Sequence, residues 1–156
     1  MDEERRVIAC LTAQKKTLAT AESCTGGLLG KRLTDVPGAS AVYLGGVICY
    51  AYAVKERLLG VDAALLREKG AVCEAVALQM AQGARGRLGA DLALSTTGNA
   101  GPSAEPNNPN VGEIYVALAW GGGSLCRKLS LHGSREENRM QACHAALELL
   151  LEHIHG

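Results

Sequence analysis

The sequence predicts a single α/β domain in which helices cover a mixed sheet. Three observations point there. Helix-like and strand-like patterns alternate along the whole chain. Two runs, "DLALST" (91–96) and "EIYVALAW" (113–120), are apolar on both faces, as interior strands are. Glycine and proline turns separate the segments, yet no linker is long enough to split the chain and no internal repeat occurs. A length of 156 residues suits one domain with a real core, taken as 1–156 and as a stand-alone unit.

Each element has its own signal. Residues 3–16 place Val7, Ile8 and Leu11 on one helical face. "TLATAE" (17–22) is short, apolar and tolerant of extended backbone, so it reads as a strand. A helix is expected from Thr25 to about Leu33, with glycines at its start. "PGAS" (37–40) is a turn marked by Pro37 and Gly38. "AVYLGGVICY" (41–50) reads as a strand bent at Gly45–Gly46, and "AYAVKERLLG" (51–60) as a helix stopped at Gly60. Val76, Met80, Ala84 and Leu88 recur at a spacing of four and predict a helix over 73–88. Residues 98–112 hold three of the four prolines and form a loop. "GGGS" (121–124) turns the strand 113–120 into a hairpin partner, "LCRKLSL" (125–131). The last helix, about 135–154, is expected to bury Met140, Cys143, Leu147, Leu150, Leu151 and Ile154 along one face.

Composition excludes several functions. Lys plus Arg equals Asp plus Glu at 16 each, whereas a nucleic-acid platform carries a basic excess. One Trp, four Tyr and no Phe leave little to stack on bases. No apolar run approaches the roughly 18 residues of a membrane span. The charged start "MDEERRVIAC" lacks the apolar segment of a signal peptide, so a cytoplasmic location is expected. The six cysteines form no C-x-x-C pair and fit no zinc spacing; reduced, apolar thiols and no metal or cofactor are expected. His153 and His155 diverge at a helix end and read as solvated.

The stretch "TAESCTGG" (20–27) carries three nucleophile candidates, Ser23, Cys24 and Thr25. It is no nucleophile elbow, because Ala21 stands where the strained turn needs glycine. It is no phosphate-binding Walker loop, because no G-K-[ST] follows. A strand leading into a glycine-rich helix start remains. Such a start presents backbone N–H groups to an anion, or is simply an N-cap by Ser23 or Thr25.

"TAESCTGG", "PGAS", "GGVICYAYAVKERLLGV", "TTGNAGP" and "VGEIYVALA", in that order, closely resemble the CinA C-terminal-domain family over roughly residues 3–152. The resemblance implies a three-layer α/β/α sandwich. It also implies a nicotinamide mononucleotide deamidase, which hydrolyses the carboxamide to nicotinic acid mononucleotide and ammonia by a Ser-Lys mechanism with a helping tyrosine. The implied catalytic residues are Ser40, Tyr50 and Lys55. A lysine serves as base only when neutral, and its reference pKa of about 10.4 must be lowered by burial or by a cation such as the nearby Arg57. The expected substrate-binding residues are Glu22, Ser23, Thr25, Gly26 and Gly27 in one turn and Thr97, Gly98, Ala100 and Gly101 in another. The first turn is expected to hold the phosphate or ribose, a task that the turn from Gly98 to Gly101 could share, and the sequence does not rank the two. The resemblance further implies a homodimer or higher homo-oligomer with a small-molecule nucleotide substrate; the composition already argues against a nucleic-acid or membrane partner.

This chain departs from the family at Ala51 and Tyr52, where serine and asparagine are usual. Ser103–Ala104 replace glycines, and Cys73 replaces a serine. The alternative function is therefore a non-catalytic nucleotide- or partner-binding paralogue of the same fold.

Overall fold

The computed structural model describes residues 3–155, so Met1, Asp2 and Gly156 at the expected domain's ends lie outside the described residues. The elements are α1 (Glu3–Gln14), β1 (Leu18–Glu22), α2 (Leu28–Thr34), a 3-10 turn (Ala39–Ala41), β2 (Tyr43–Ile48), α3 (Tyr52–Leu59), α4 (Ala63–Lys69), α5 (Glu74–Leu88), β3 (Leu92–Gly98), β4 (Glu113–Trp120), β5 (Gly123–Ser130) and α6 (Arg135–His155). The strands form one mixed sheet in the order β2-β1-β3-β4-β5. β1 pairs in parallel with β2 and β3, while β4 runs antiparallel to both β3 and β5.

Side-chain size divides the two faces. Leu18, Leu92, Leu94, Ile114, Val116 and Leu118 point to one face, where they pack with Val7 and Leu11 of α1, Leu29 and Leu33 of α2, and Leu147 and Leu150 of α6. Ala19, Ala21 and Ala93 point to the other, against Leu59 of α3, Leu66 of α4, and Val76, Met80 and Ala84 of α5. Alanines on that face let α5 lie close to the sheet, where Ala77 and Ala81 meet Ala117 and Ala119. The result is the three-layer sandwich, built by strict alternation along buried strands.

The glycine-marked bend in β2 is a bulge. Leu18 pairs with Tyr43 but Ala19 with Gly45, so Leu44 is an extra residue, and Gly45 takes φ 136°, a conformation that favours glycine. Periodicity misses α4, whose seven residues bury only Leu66; its start is nevertheless marked, because the Asp62 carboxylate accepts from the N–H of Ala64 and Leu65. α2 begins at Leu28 rather than Thr25, since residues 24–27 form a turn. Met140 is not core: it is 54% exposed and lines an open groove between α2 and α6 with Leu28, Arg32 and His144. His153 stacks on Trp120, with ring centroids 4.2 Å apart, instead of standing free in solvent. Among the described residues no helix is long and apolar enough to cross a membrane.

Candidate active site

β1 delivers the chain to the C-terminal edge of the parallel strands, where ligands bind in open α/β sheets. Glu22 is its last residue and is buried. Its Oε1 accepts from the Thr25 hydroxyl at 2.6 Å and from the N–H of Gly27 and Leu29 at 3.2 and 2.8 Å; its Oε2 accepts from the N–H of Gly30 at 3.0 Å. The Gly26 N–H donates to the Ser23 carbonyl. Thr25, fully buried, also shares a 2.7 Å hydrogen bond with the Thr96 hydroxyl. Arg139 of α6 donates to the carbonyls of Cys24 and Thr25.

These contacts occupy the groups expected to form an anion cradle. The N–H groups of Gly26 and Gly27 already have acceptors in the chain, and Glu22 supplies the negative charge that a helix start attracts. Glu22, Thr25, Gly26 and Gly27 therefore form an internal brace for residues 23–30. Glu22→Ala is expected to cost about 3 kcal/mol or more, because it strands several buried donors. A urea titration reads that loss. An unchanged unfolding midpoint combined with weakened substrate affinity would return Glu22 to substrate binding.

The brace presents Ser23. Its N–H donates to the Thr96 carbonyl, and its Oγ lies 2.9 Å from Lys55 Nζ. Lys55 comes from the first turn of α3, brought alongside because the Cys49 N–H bonds the Glu22 carbonyl. Its side chain is fully buried. Nζ also donates to the carbonyls of Cys49 at 2.6 Å and Tyr50 at 3.1 Å. Burial lowers the Lys55 pKa, partly opposed by the nearby Cys49, Cys24 and Glu105. Arg57, considered above as the lowering cation, is exposed and is not needed for the shift. Burial pushes the adjacent Cys24 thiol up to about 12, so it is a poor source of thiolate.

Ser40 stands apart from this pair. It is exposed in the 3-10 turn before β2, whereas Lys55 follows β2. β2 is parallel to β1, so the two residues lie at opposite edges of the sheet, about 20 Å apart at the rise of a six-residue strand. Ser40 lines a separate depression with Thr34, Pro37 and Leu44. Within the chain the serine beside Lys55 is Ser23, and the structure does not bring Ser40 to Lys55.

Ser23 and Lys55 open onto a cavity of about 280 Å³ that also touches Cys24, Tyr50, Tyr52, Thr97, Gly98, Ala100, Glu105 and Arg135. Tyr50 contributes its carbonyl to Lys55, while its ring is 65% exposed and its hydroxyl lies 3.5 Å from Arg135. Thr97 Oγ1 donates to the Ala71 carbonyl, which joins β3 to the α4–α5 connection. A Cβ on Gly98 would come within 2.6 Å of the Ile114 backbone, so this wall needs glycine. The carbonyls of Ala100 and Gly101 accept from Asn138 and Arg135 of α6. The second expected turn thus borders the cavity through Thr97, Gly98 and Ala100, and Gly101 holds Arg135.

Sequence reasoning missed Glu105 and Arg135, and noted Tyr52 only as a departure. Each is an unremarkable polar residue in its own segment, and no local pattern links it to Lys55. Ser23 did carry a signal: it immediately follows a strand whose C-terminal end lies in the parallel part of the sheet. No group of three or more His, Cys, Asp or Glu side chains placed to hold a metal occurs among the described residues.

Comparison with known proteins agrees with this architecture. A family model described as the CinA C-terminal domain matches residues 2–154. A CinA-like protein of Frankia casuarinae is 47% identical over 150 residues, covering 96% of this chain and 34% of that protein. The chain spans about a third of the length of the curated relatives it matches. The crystal structure of the competence/damage inducible protein CihA from Agrobacterium tumefaciens is 36% identical, with a TM-score of 0.93 over 99% of this chain and 94% of that one. A CinA-superfamily protein from Klebsiella pneumoniae is 32% identical, with a TM-score of 0.94 over 97% and 95%.

Proposed function

The chain belongs to the CinA C-terminal-domain family, and from that premise we propose that it is an amidohydrolase releasing ammonia from the carboxamide of nicotinamide mononucleotide, with Ser23 as nucleophile and Lys55 as base. The observation that carries this reading is the 2.9 Å contact between Ser23 Oγ and a fully buried lysine nitrogen at a cavity of about 280 Å³.

The chemistry follows from the hydrogen bonds. Neutral Lys55 keeps two N–H groups on the carbonyls of Cys49 and Tyr50, which leaves its lone pair for the Ser23 hydroxyl. Ser23 Oγ bonds to the carboxamide carbon as its proton passes to Lys55. The pyridinium charge withdraws electrons from that carbon and makes it more electrophilic. Collapse of the tetrahedral intermediate breaks the C–N bond, and Lys55 returns the proton to the departing amine as ammonia. Water then attacks the acyl-Ser23 ester with Lys55 again as base, releasing nicotinic acid mononucleotide. Arg135, exposed at the rim beside Tyr50, supplies positive charge for the phosphate. A binding module would have no need of a buried lysine aimed at a serine, so the catalytic reading is preferred to the non-catalytic one.

Ammonia release from nicotinamide mononucleotide, followed by coupled glutamate dehydrogenase, tests the proposal. Stoichiometric ammonia and nicotinic acid mononucleotide are expected. An enzyme that binds the nucleotide but forms no ammonia from pH 6 to 10 would overturn it.

A further inference from the structure

A third charged group faces the same cavity and has no part in the reaction above. Glu105, in the loop between β3 and β4, is half-buried. Its Oε1 accepts from the N–H of Ala71 at 2.8 Å and of Val72 at 3.2 Å, and its Oε2 accepts from the Tyr52 hydroxyl at 2.9 Å. Its own N–H donates to Asn99 Oδ1, and Asn99 Nδ2 donates to the carbonyls of Asn108 and Asn110. Three donors from two other segments thus hold the carboxylate in the wall. The packing is tight enough that a Cβ on Gly70 would lie 2.1 Å from Oε1. The arrangement works against the base, since a nearby negative charge favours the protonated form of Lys55. A carboxylate fixed at a cost to the chemical step is best understood at the binding step.

We propose that Glu105, held by Tyr52, Ala71 and Val72, is a specificity-determining residue that selects a positively charged ring carboxamide over a neutral ring and over the anionic product. The inference rests on the amidohydrolase reading for the identity of the ligand. A pyridinium ring bound between Lys55 and the wall gains attraction from the carboxylate. Deamidation replaces the neutral amide by a second carboxylate in the same small space, where like charges repel. Unit charges about 6 Å apart at an effective dielectric constant of about 20 alter affinity roughly a hundredfold, and solvent access at a half-buried wall reduces this to about tenfold. Tyr52 gives that charge a fixed position, so the start of α3 and the loop after Pro102 act as one device.

Calorimetric dissociation constants, measured in a Ser23→Ala background so that the amide is not consumed, test the device with three nucleotides: nicotinamide mononucleotide, its uncharged-ring dihydro form, and nicotinic acid mononucleotide. With Glu105 in place the protein is expected to bind the cationic amide about tenfold more tightly than either of the others. In Glu105→Gln both ratios should fall about tenfold. Glutamine keeps an oxygen for the Ala71 and Val72 N–H groups and an amide N–H for the Tyr52 oxygen, so the variant should melt close to wild type. Unchanged ratios in a folded Glu105→Gln overturn the inference, as does equal binding of all three with Glu105 intact, which judges it even if the Glu105→Gln variant does not fold. If the ratios fall as expected while the wild type forms no ammonia, charge selection stands and the amidohydrolase reading fails. If ammonia forms and the ratios do not move, this inference alone fails.

Discussion

Ser23→Ala is expected to abolish ammonia release, with kcat down by about 10⁴-fold or more, as for the loss of other activated nucleophiles. Ser40→Ala should stay within about threefold of wild type, because that side chain lies at the opposite edge of the sheet from Lys55. Among the described residues the Ser23 hydroxyl meets a single nitrogen, Lys55 Nζ, so its removal leaves the brace around Glu22 intact and the fold should survive. Steady-state kinetics and a thermal melt on both variants separate chemistry from stability. Iodoacetamide adds an independent check. Cys24 is buried and its thiol is pushed up to about 12, so the folded enzyme should resist alkylation at that position. Full activity in Ser23→Ala with loss in Ser40→Ala would return the nucleophile to the "PGAS" turn and require a second copy of the chain to bring it to Lys55.

The second large effect belongs to Lys55. Lys55→Ala and Lys55→Arg should both lose about 10³-fold or more in kcat, since arginine keeps the charge but does not accept a proton near neutral pH. Arginine is also too broad for a fully buried site with oxygens at 2.6, 2.9 and 3.1 Å. The sign of the pH dependence follows from burial. Desolvation disfavours the ammonium, so the folded pKa lies below 10.5, its ordinary value. Only the neutral amine is a base, so the wild-type rate should rise with pH and level off before that value. Stability should move the same way. Between the lowered folded pKa and the unfolded one, the unfolded chain binds a proton that the folded chain does not, so stability increases with pH across that window. A pH-independent rate, or an active arginine variant, would reduce Lys55 to a positioning charge.

The helices and strands were largely legible because burial leaves a one-dimensional trace. The spacing of four in α5 and the apolar runs of β3 and β4 are local consequences of packing against a two-sided sheet. α4 left little trace, because a seven-residue helix burying one leucine has no period to read. Met140 misled for the opposite reason: it keeps the stripe of α6, but the groove beneath it is open.

The sequence by itself determined the layered α/β fold, the mixed sheet and the family resemblance. Only the tertiary structure decided which groups meet. Parallel pairing puts the ends of β1, β2 and β3 side by side, so Ser23, Lys55 and Thr97 converge although each was read in a different segment. The same pairing sends Ser40 to the far edge. It also turns Glu22 inward onto the N–H groups that looked ready for a phosphate, and it brings Glu105 and Arg135 from a proline-rich loop and the last helix to the cavity. Hydrophobic period is a property of neighbours along the chain. Hydrogen bonding between buried polar groups depends on distances across it, and those distances exist only once the sheet has formed.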